Sequence, residues 1–223
     1  FLLEYMLPKP LLIYCYDAYC GWCYGFSPVM QRIERDFASS LDIEVLSGGM
    51  ILPEQPVHFS TMAGFIAQAY KRVEETTGVT FGDDFLWHVF NPNETDWYPH
   101  SEKPAIALCI FKEIHPQLSV AFSSDLQMAL NSEGRDLTDD EAYRLLLIKY
   151  EIVQDDFYSK LHSETYKEKA HYEFALMKQL RVDGYPAVFI QTSDSKFYQI
   201  AKGYTDYETL KANIEKVLEL NKQ

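Results

Sequence analysis

The sequence predicts an α/β fold split by a long all-helical insertion. Three observations carry this: a strand–helix–strand order at the start, helical periodicity from about Phe59 to Tyr172, and a strand–strand–helix order at the end. The frame is expected to be discontinuous, 10–57 and 173–221, with the inserted helical domain at 58–172.

Leu11-Leu12-Ile13-Tyr14-Cys15-Tyr16 is a continuous apolar and aromatic run ending at Asp17, the pattern of a strand buried on both faces. Phe26, Met30, Ile33 and Phe37 then recur at helical spacing, giving an amphipathic helix from about Cys20 to Ala38. Pro28 falls inside it and is expected to kink it. Asp42–Leu46 alternates polar and apolar as a second strand, closed by Ser47-Gly48-Gly49. Helices follow at Phe59–Thr76, Phe81–Phe90, Lys103–Ile114, Ser119–Asn131 and Asp139–Tyr150, and from Gln154 through Leu161. Thr138, with acid after it, reads as a helix cap. The mixed-charge stretch Glu133–Asp140 reads as a solvated loop. Strands are expected at Pro186–Gln191 and Phe197–Ile200, and a last amphipathic helix at Tyr207–Leu220.

The chain of 223 residues carries 33 Asp+Glu against 20 Lys+Arg, a net charge of -13. Such a surface repels phosphate backbones and anionic lipid, so neither nucleic acid nor membrane is an expected partner. No apolar run reaches the roughly 18–20 residues that span a bilayer. The segment Phe1 to Pro10, with Glu4 and Lys9, does not read as a secretory signal, but the chain starts without Met. The expected compartment is the cytoplasm, with the periplasm the alternative if a leader was removed.

There are four cysteines, Cys15, Cys20, Cys23 and Cys109, and two of them stand in Cys20-Gly21-Trp22-Cys23. The pair sits between a buried strand and the helix it opens. Unpaired N–H groups and the helix dipole favour an anion there, which would stabilise a Cys20 thiolate, and Cys23 one turn further in closes the disulfide, one thiol attacking and the other resolving the mixed disulfide. A zinc site would want four ligands, and Cys15 and Cys109 form no second pair, so no metal is expected. A purely structural bridge over so short a loop would restrain little. Cys15 and Cys109 lie in apolar runs and read as inert core thiols. The second signal is Asp183-Gly184-Tyr185-Pro186, a proline directly before a strand, where it cannot donate to the ladder.

Tyr16-Asp17 followed by Tyr19-Cys20-Gly21-Trp22-Cys23-Tyr24-Gly25-Phe26-Ser27-Pro28 resembles the active-site segment of DsbA-family thioredoxin-fold oxidoreductases, nearest the FrnE-like branch of protein-disulfide isomerases. His100–Ala105, Gly134–Asp139 and Gly184-Tyr185-Pro186-Ala187 are similar to later segments of that branch, so the resemblance runs from Leu11 to about Leu220. It implies a DsbA-like thioredoxin fold with a helical insertion, and thiol–disulfide exchange or disulfide isomerisation on protein or peptide thiols. It also implies that Cys20 is the nucleophile of the redox pair, Cys23 the resolving thiol and Pro186 a cis proline facing them. Gly184 and Tyr185 would offer backbone to an extended substrate segment, with Trp22 as apolar surface for it. Asp17 is a possible proton relay or, on a plainer reading, a loop cap. The Gly-Trp dipeptide suggests an intermediate potential. No cofactor beyond the Cys20–Cys23 disulfide is implied, with glutathione a conceivable reductant and a redox partner needed to recharge the pair. Two other classes stay open: a glutathione-dependent transferase or isomerase of the kappa or 2-hydroxychromene-2-carboxylate type, and a redox-inert binding module.

Overall fold

In a computed structural model that describes residues 9–221, the chain builds a sheet of four strands in the order β2-β1-β3-β4. The segment 1–8, most of the stretch read for a leader, lies outside the described residues. The strands are β1 (Leu11–Tyr16), β2 (Asp42–Ser47), β3 (Ala187–Ser193) and β4 (Lys196–Lys202). β1 runs parallel to β2 and antiparallel to β3, and β3 pairs antiparallel with β4.

The continuous apolar run of β1 follows from burial on both faces. Leu12, Tyr14 and Tyr16 enter the main core beside Phe26, Met30 and Ile33 of helix α1 (Gly21–Phe37), while Ile13 and Cys15 join Met177 on the other side. Helix α1 continues unbroken through Pro28, whose ring is exposed. Helix α2 (Ser60–Thr77) approaches α1 closely at Gly25, where a Cβ would lie 2.6 Å from Thr77 Cγ2.

Helices α3 (Asp83–Phe90), α4 (Glu102–Ile114), α5 (Ser119–Asn131), α6 (Arg144–Lys149), α7 (Gln154–Leu161) and α8 (Glu164–Gln179) follow, and α9 (Tyr207–Leu220) is the last helix among the described residues. The run Ala105 to Phe111 is wholly buried, with α5 and α8 packed on α4 and α5 also on α1. Core residues of the sheet, α1 and the helical segment form one cluster, so the insertion shares its core with the frame.

Three expectations change. The helix expected over Asp139–Tyr150 divides into a 3-10 turn at Asp140–Tyr143 and α6, and the side chain that caps it is Asp139, accepting from Glu141 N–H at 3.1 Å. Leu137 and Tyr143 are both buried and the Tyr143 hydroxyl donates to the Leu137 carbonyl at 2.7 Å, which draws this stretch inward. For the same reason Glu133–Asp140 is not a free solvated loop: Asp140 holds Lys103 at 2.8 Å and His162 at 2.7 Å. Finally, α8 crosses 172 without a break, because Tyr166, Ala170, Phe174 and Met177 keep one buried stripe to its end at Gln179.

Candidate active site

The turn from β1 into α1 is closed by Cys20 N–H donating to Asp17 C=O at 3.0 Å. Cys20 is the N-cap of α1, in extended conformation (φ −84°, ψ 108°), and its Sγ accepts from Cys23 N–H at 3.3 Å. A sulfur thus takes the place that a hydroxyl or carboxylate fills in an ordinary cap. The first turn of α1 carries no acidic residue to compete for the dipole. Cys20 is 6% exposed and Cys23 is fully buried, so the outer sulfur of the pair is Cys20. Burial pushes the Cys23 thiol well up, with Cys20 and the Asp17 charge pushing the same way. All four cysteines are free thiols.

Opposite lies the segment before β3. The Tyr185–Pro186 peptide bond is cis, and the Cys20 thiol points at the Tyr185 carbonyl, 3.6 Å away. Pro186 C=O accepts from Gly203 N–H at 2.7 Å, and the Tyr185 hydroxyl donates to Gly48 C=O at 2.9 Å. Gly48 is required by this contact, since a Cβ there would stand 2.3 Å from Tyr185 Cζ. Gly184 and Tyr185 are half-buried, as is Trp22, whose ring lies 6.4 Å from that of Tyr204.

Asp17 is 2% exposed and held by three donors. Oδ1 accepts from Tyr19 N–H and Ser101 Oγ–H, both at 3.0 Å, and Oδ2 from Met50 N–H at 2.8 Å. One carboxyl therefore joins the β1–α1 turn, the loop after β2 and the start of α4. Burial raises its pKa, opposed by the hydrogen bonds from Met50, Tyr19 and Ser101. The structure brings Cys20, Cys23, Asp17, Tyr185 and Pro186 together, with Gly184 and Trp22 at their margin.

Cys15 and Cys109 stand apart from this group. Burial, then Glu173, pushes Cys15 up to about 12 and Cys109 up as well. The Cys109 thiol donates to Glu173 Oε1 at 3.4 Å. A cleft of about 1080 Å³ that includes Cys109 lies between the sheet, α4 and α8, and neither Cys20 nor Cys23 lines it. Among the described residues no three His, Cys, Asp or Glu side chains gather as around a metal ion.

Sequence reasoning missed Gly48, Ser101 and Gln127. Gln127, in α5, is fully buried and reaches the carbonyls of Asp17 and Cys20. A polar residue amid Phe122, Leu126, Ala129 and Leu130 is a visible anomaly, but nothing in the sequence says what it meets.

A sheet of this order, a Cys-x-x-Cys opening a helix and a cis proline against it define a thioredoxin-fold thiol protein. The chain belongs to the DSBA-like thioredoxin domain family, a family of thiol–disulfide oxidoreductases, whose model matches residues 88–215. None of the curated proteins matches it. Among solved structures, a candidate protein disulfide isomerase from Nitrosomonas europaea is similar with a TM-score of 0.83 at 22% identity, over 96% of this chain and 99% of its own. The cytosolic disulfide reductase DsbM from Pseudomonas aeruginosa aligns with a TM-score of 0.73 at 24% identity, over 94% and 99%, and a structure of it with GSH aligns with a TM-score of 0.70. A 2-hydroxychromene-2-carboxylate isomerase shares the fold with a TM-score of 0.65 at 12% identity, over 95% and 97%. At these identities the likeness is one of fold.

Proposed function

We propose that the chain exchanges disulfides with protein or peptide thiols through Cys20 and Cys23. The single observation that carries this reading is Cys20 Sγ at the N-cap of α1, receiving the Cys23 amide while facing the Tyr185 carbonyl. In the reducing direction the Cys20 thiolate attacks a substrate disulfide, an S–S bond forms to Cys20, and one substrate thiolate leaves. Cys23 loses its proton, attacks Cys20 Sγ and expels the second thiolate. The substrate gains two electrons and the protein becomes the Cys20–Cys23 disulfide; oxidation of a dithiol is the reverse. Asp17 is the carboxyl whose charge bears on Cys23, and it serves here as a proton relay or, with donors on both oxygens, as the group that fixes the turn. Gly184 and Tyr185 offer backbone to an extended substrate beside Pro186, with Trp22 as apolar contact.

The reading needs no cofactor beyond the pair itself. Glutathione is the proposed reductant, a choice supported by the glutathione complex of DsbM, and the cytosolic description of that reductase favours the same compartment. We read the helical segment as one insertion, 58–172 extended to the end of α8 at Gln179. Retention of both cysteines favours exchange over the chemistry of the isomerase that shares the fold.

The test is reduction of insulin with glutathione as electron source. Wild type turns over, Cys20→Ser does not, and Cys23→Ser stalls as a mixed disulfide visible by mass. Undiminished turnover by Cys20→Ser would overturn the reading.

A further inference from the structure

We propose that Gln127, on the inserted helical segment, is a positioning residue that sets the redox equilibrium of the Cys20–Cys23 pair; the proposal rests on the exchange reading above.

Gln127 is 0% exposed, and its Nε2 donates to Asp17 C=O at 3.1 Å and to Cys20 C=O at 3.3 Å. Its Oε1 accepts from the Ser27 hydroxyl at 2.8 Å. The orientation of the amide is forced, because two carbonyls can only accept and so must face its NH₂ group. A buried carboxamide is tolerated only when its donors and acceptor are satisfied, and here they are.

The placement is specific. Asp17 C=O already closes the turn by accepting from Cys20 N–H, and Cys20 C=O already accepts from Tyr24 N–H, each at 3.0 Å. Gln127 fills the remaining lone pair of both, one at each end of the turn that carries the reactive sulfur. The backbone of Cys20 is thus tied on one side to its own helix and on the other to α5. That tie holds the sulfur where the Cys23 amide reaches it. The helical segment therefore takes part in the redox centre through a side chain that touches neither sulfur.

Loss of the amide leaves each carbonyl with one hydrogen bond, so the fold survives, but the turn is freed. The Cys23 N–H···Sγ contact loosens, the reduced form loses stabilisation, and the disulfide is favoured. Gln127→Met keeps shape and buried volume while removing both donors. Gln127→Glu puts a carboxyl against two carbonyls: protonated it can donate to one, ionised it repels both, so its equilibrium becomes pH-dependent in a way that wild type's is not. Ser27→Ala removes the partner of Oε1, and the hydroxyl that also lies 3.2 Å from Cys23 C=O, but neither donor bond of Gln127, and so reports what loss of the Ser27 hydroxyl alone does.

The experiment measures the equilibrium constant of each purified protein with reduced and oxidised glutathione, beside circular dichroism and the pH profile of Cys20 alkylation. The expected result is a shift of at least threefold toward disulfide for Gln127→Met, with alkylation moved to higher pH. Gln127→Glu should show a larger shift at pH 8 than at pH 5, and Ser27→Ala a smaller shift than Gln127→Met. A folded Gln127→Met or Gln127→Glu with the wild-type constant at every pH overturns the positioning role alone. Should the wild type itself fail to equilibrate with glutathione, the exchange reading falls and this inference with it.

Discussion

Lys112 offers a sharp test of how the helical segment is fastened to the sheet. Its ammonium bonds Glu44 Oε1 at 2.6 Å and Val45 C=O at 2.9 Å, both in β2, and pairs with Glu173 Oε1 of α8. The Lys112 and Glu173 side chains are 15% and 7% exposed. Glu173 Oε2 also accepts from Ser47 N–H at 2.8 Å, directly before the loop whose Gly48 and Met50 meet Tyr185 and Asp17. In Lys112→Met, Glu173 keeps the Ser47 amide and the Cys109 thiol but loses its cation. Breaking a buried pair on one side costs about 3–5 kcal/mol. At roughly 2–4 °C per kcal/mol for a chain of this size, the melting temperature should fall by about 6–20 °C. Removing both charges while keeping the acceptor, in Lys112→Met with Glu173→Gln, whose amide oxygen can still take the Ser47 N–H, should recover much of the loss. Urea unfolding monitored by circular dichroism measures wild type and both variants. A loss under about 1 kcal/mol in the single variant would refute this account of the clamp.

Two further outcomes follow from the site. Asp17→Asn should cost about 1–3 kcal/mol by urea unfolding, because with the oxygen kept on Tyr19 and Ser101 its NH₂ group faces the Met50 N–H and leaves that donor unpaired. Burial holds the Asp17 pKa above its unfolded value, so its contribution is fullest at low pH and declines as pH rises; the gap to the variant should narrow toward alkaline pH. Timed iodoacetamide labelling of the reduced native protein at pH 8 should modify Cys20 first and leave Cys15, pushed up to about 12 by burial, untouched until the chain unfolds; equal labelling of the two by mass spectrometry would contradict the burial of Cys15.

Much of the frame is legible because its signals are local. β1 announces itself as an uninterrupted apolar run, α1 and α9 by apolar residues at helical spacing, and α5 at Ser119–Asn131 by the same periodicity. The predicted and observed bounds of α5 coincide because nothing outside the helix moves them. Where bounds depended on contacts outside the helix they moved. Asp139–Tyr150 breaks in two because Tyr143 turns inward to bond Leu137, and α8 runs on to Gln179 because Phe174 and Met177 find partners in the core and against the sheet. Leu137 lies six residues before Tyr143 but outside the expected helix, while the partners of Phe174 and Met177 are far off in sequence.

The sequence by itself determined the kind of chemistry available. Two cysteines at a strand–helix junction and a proline opening a later strand are adjacent or nearly adjacent residues, so their meaning survives without coordinates. Only the tertiary structure decided what surrounds the sulfur. Asp17 became a junction of three segments through Met50 and Ser101, Gly48 became obligatory through the Tyr185 ring, and Gln127 came to hold the Cys20 turn from a helix 107 residues away. Hydrogen bonds and van der Waals contact act over a few ångströms, and separation along the chain does not say which residues will come that close.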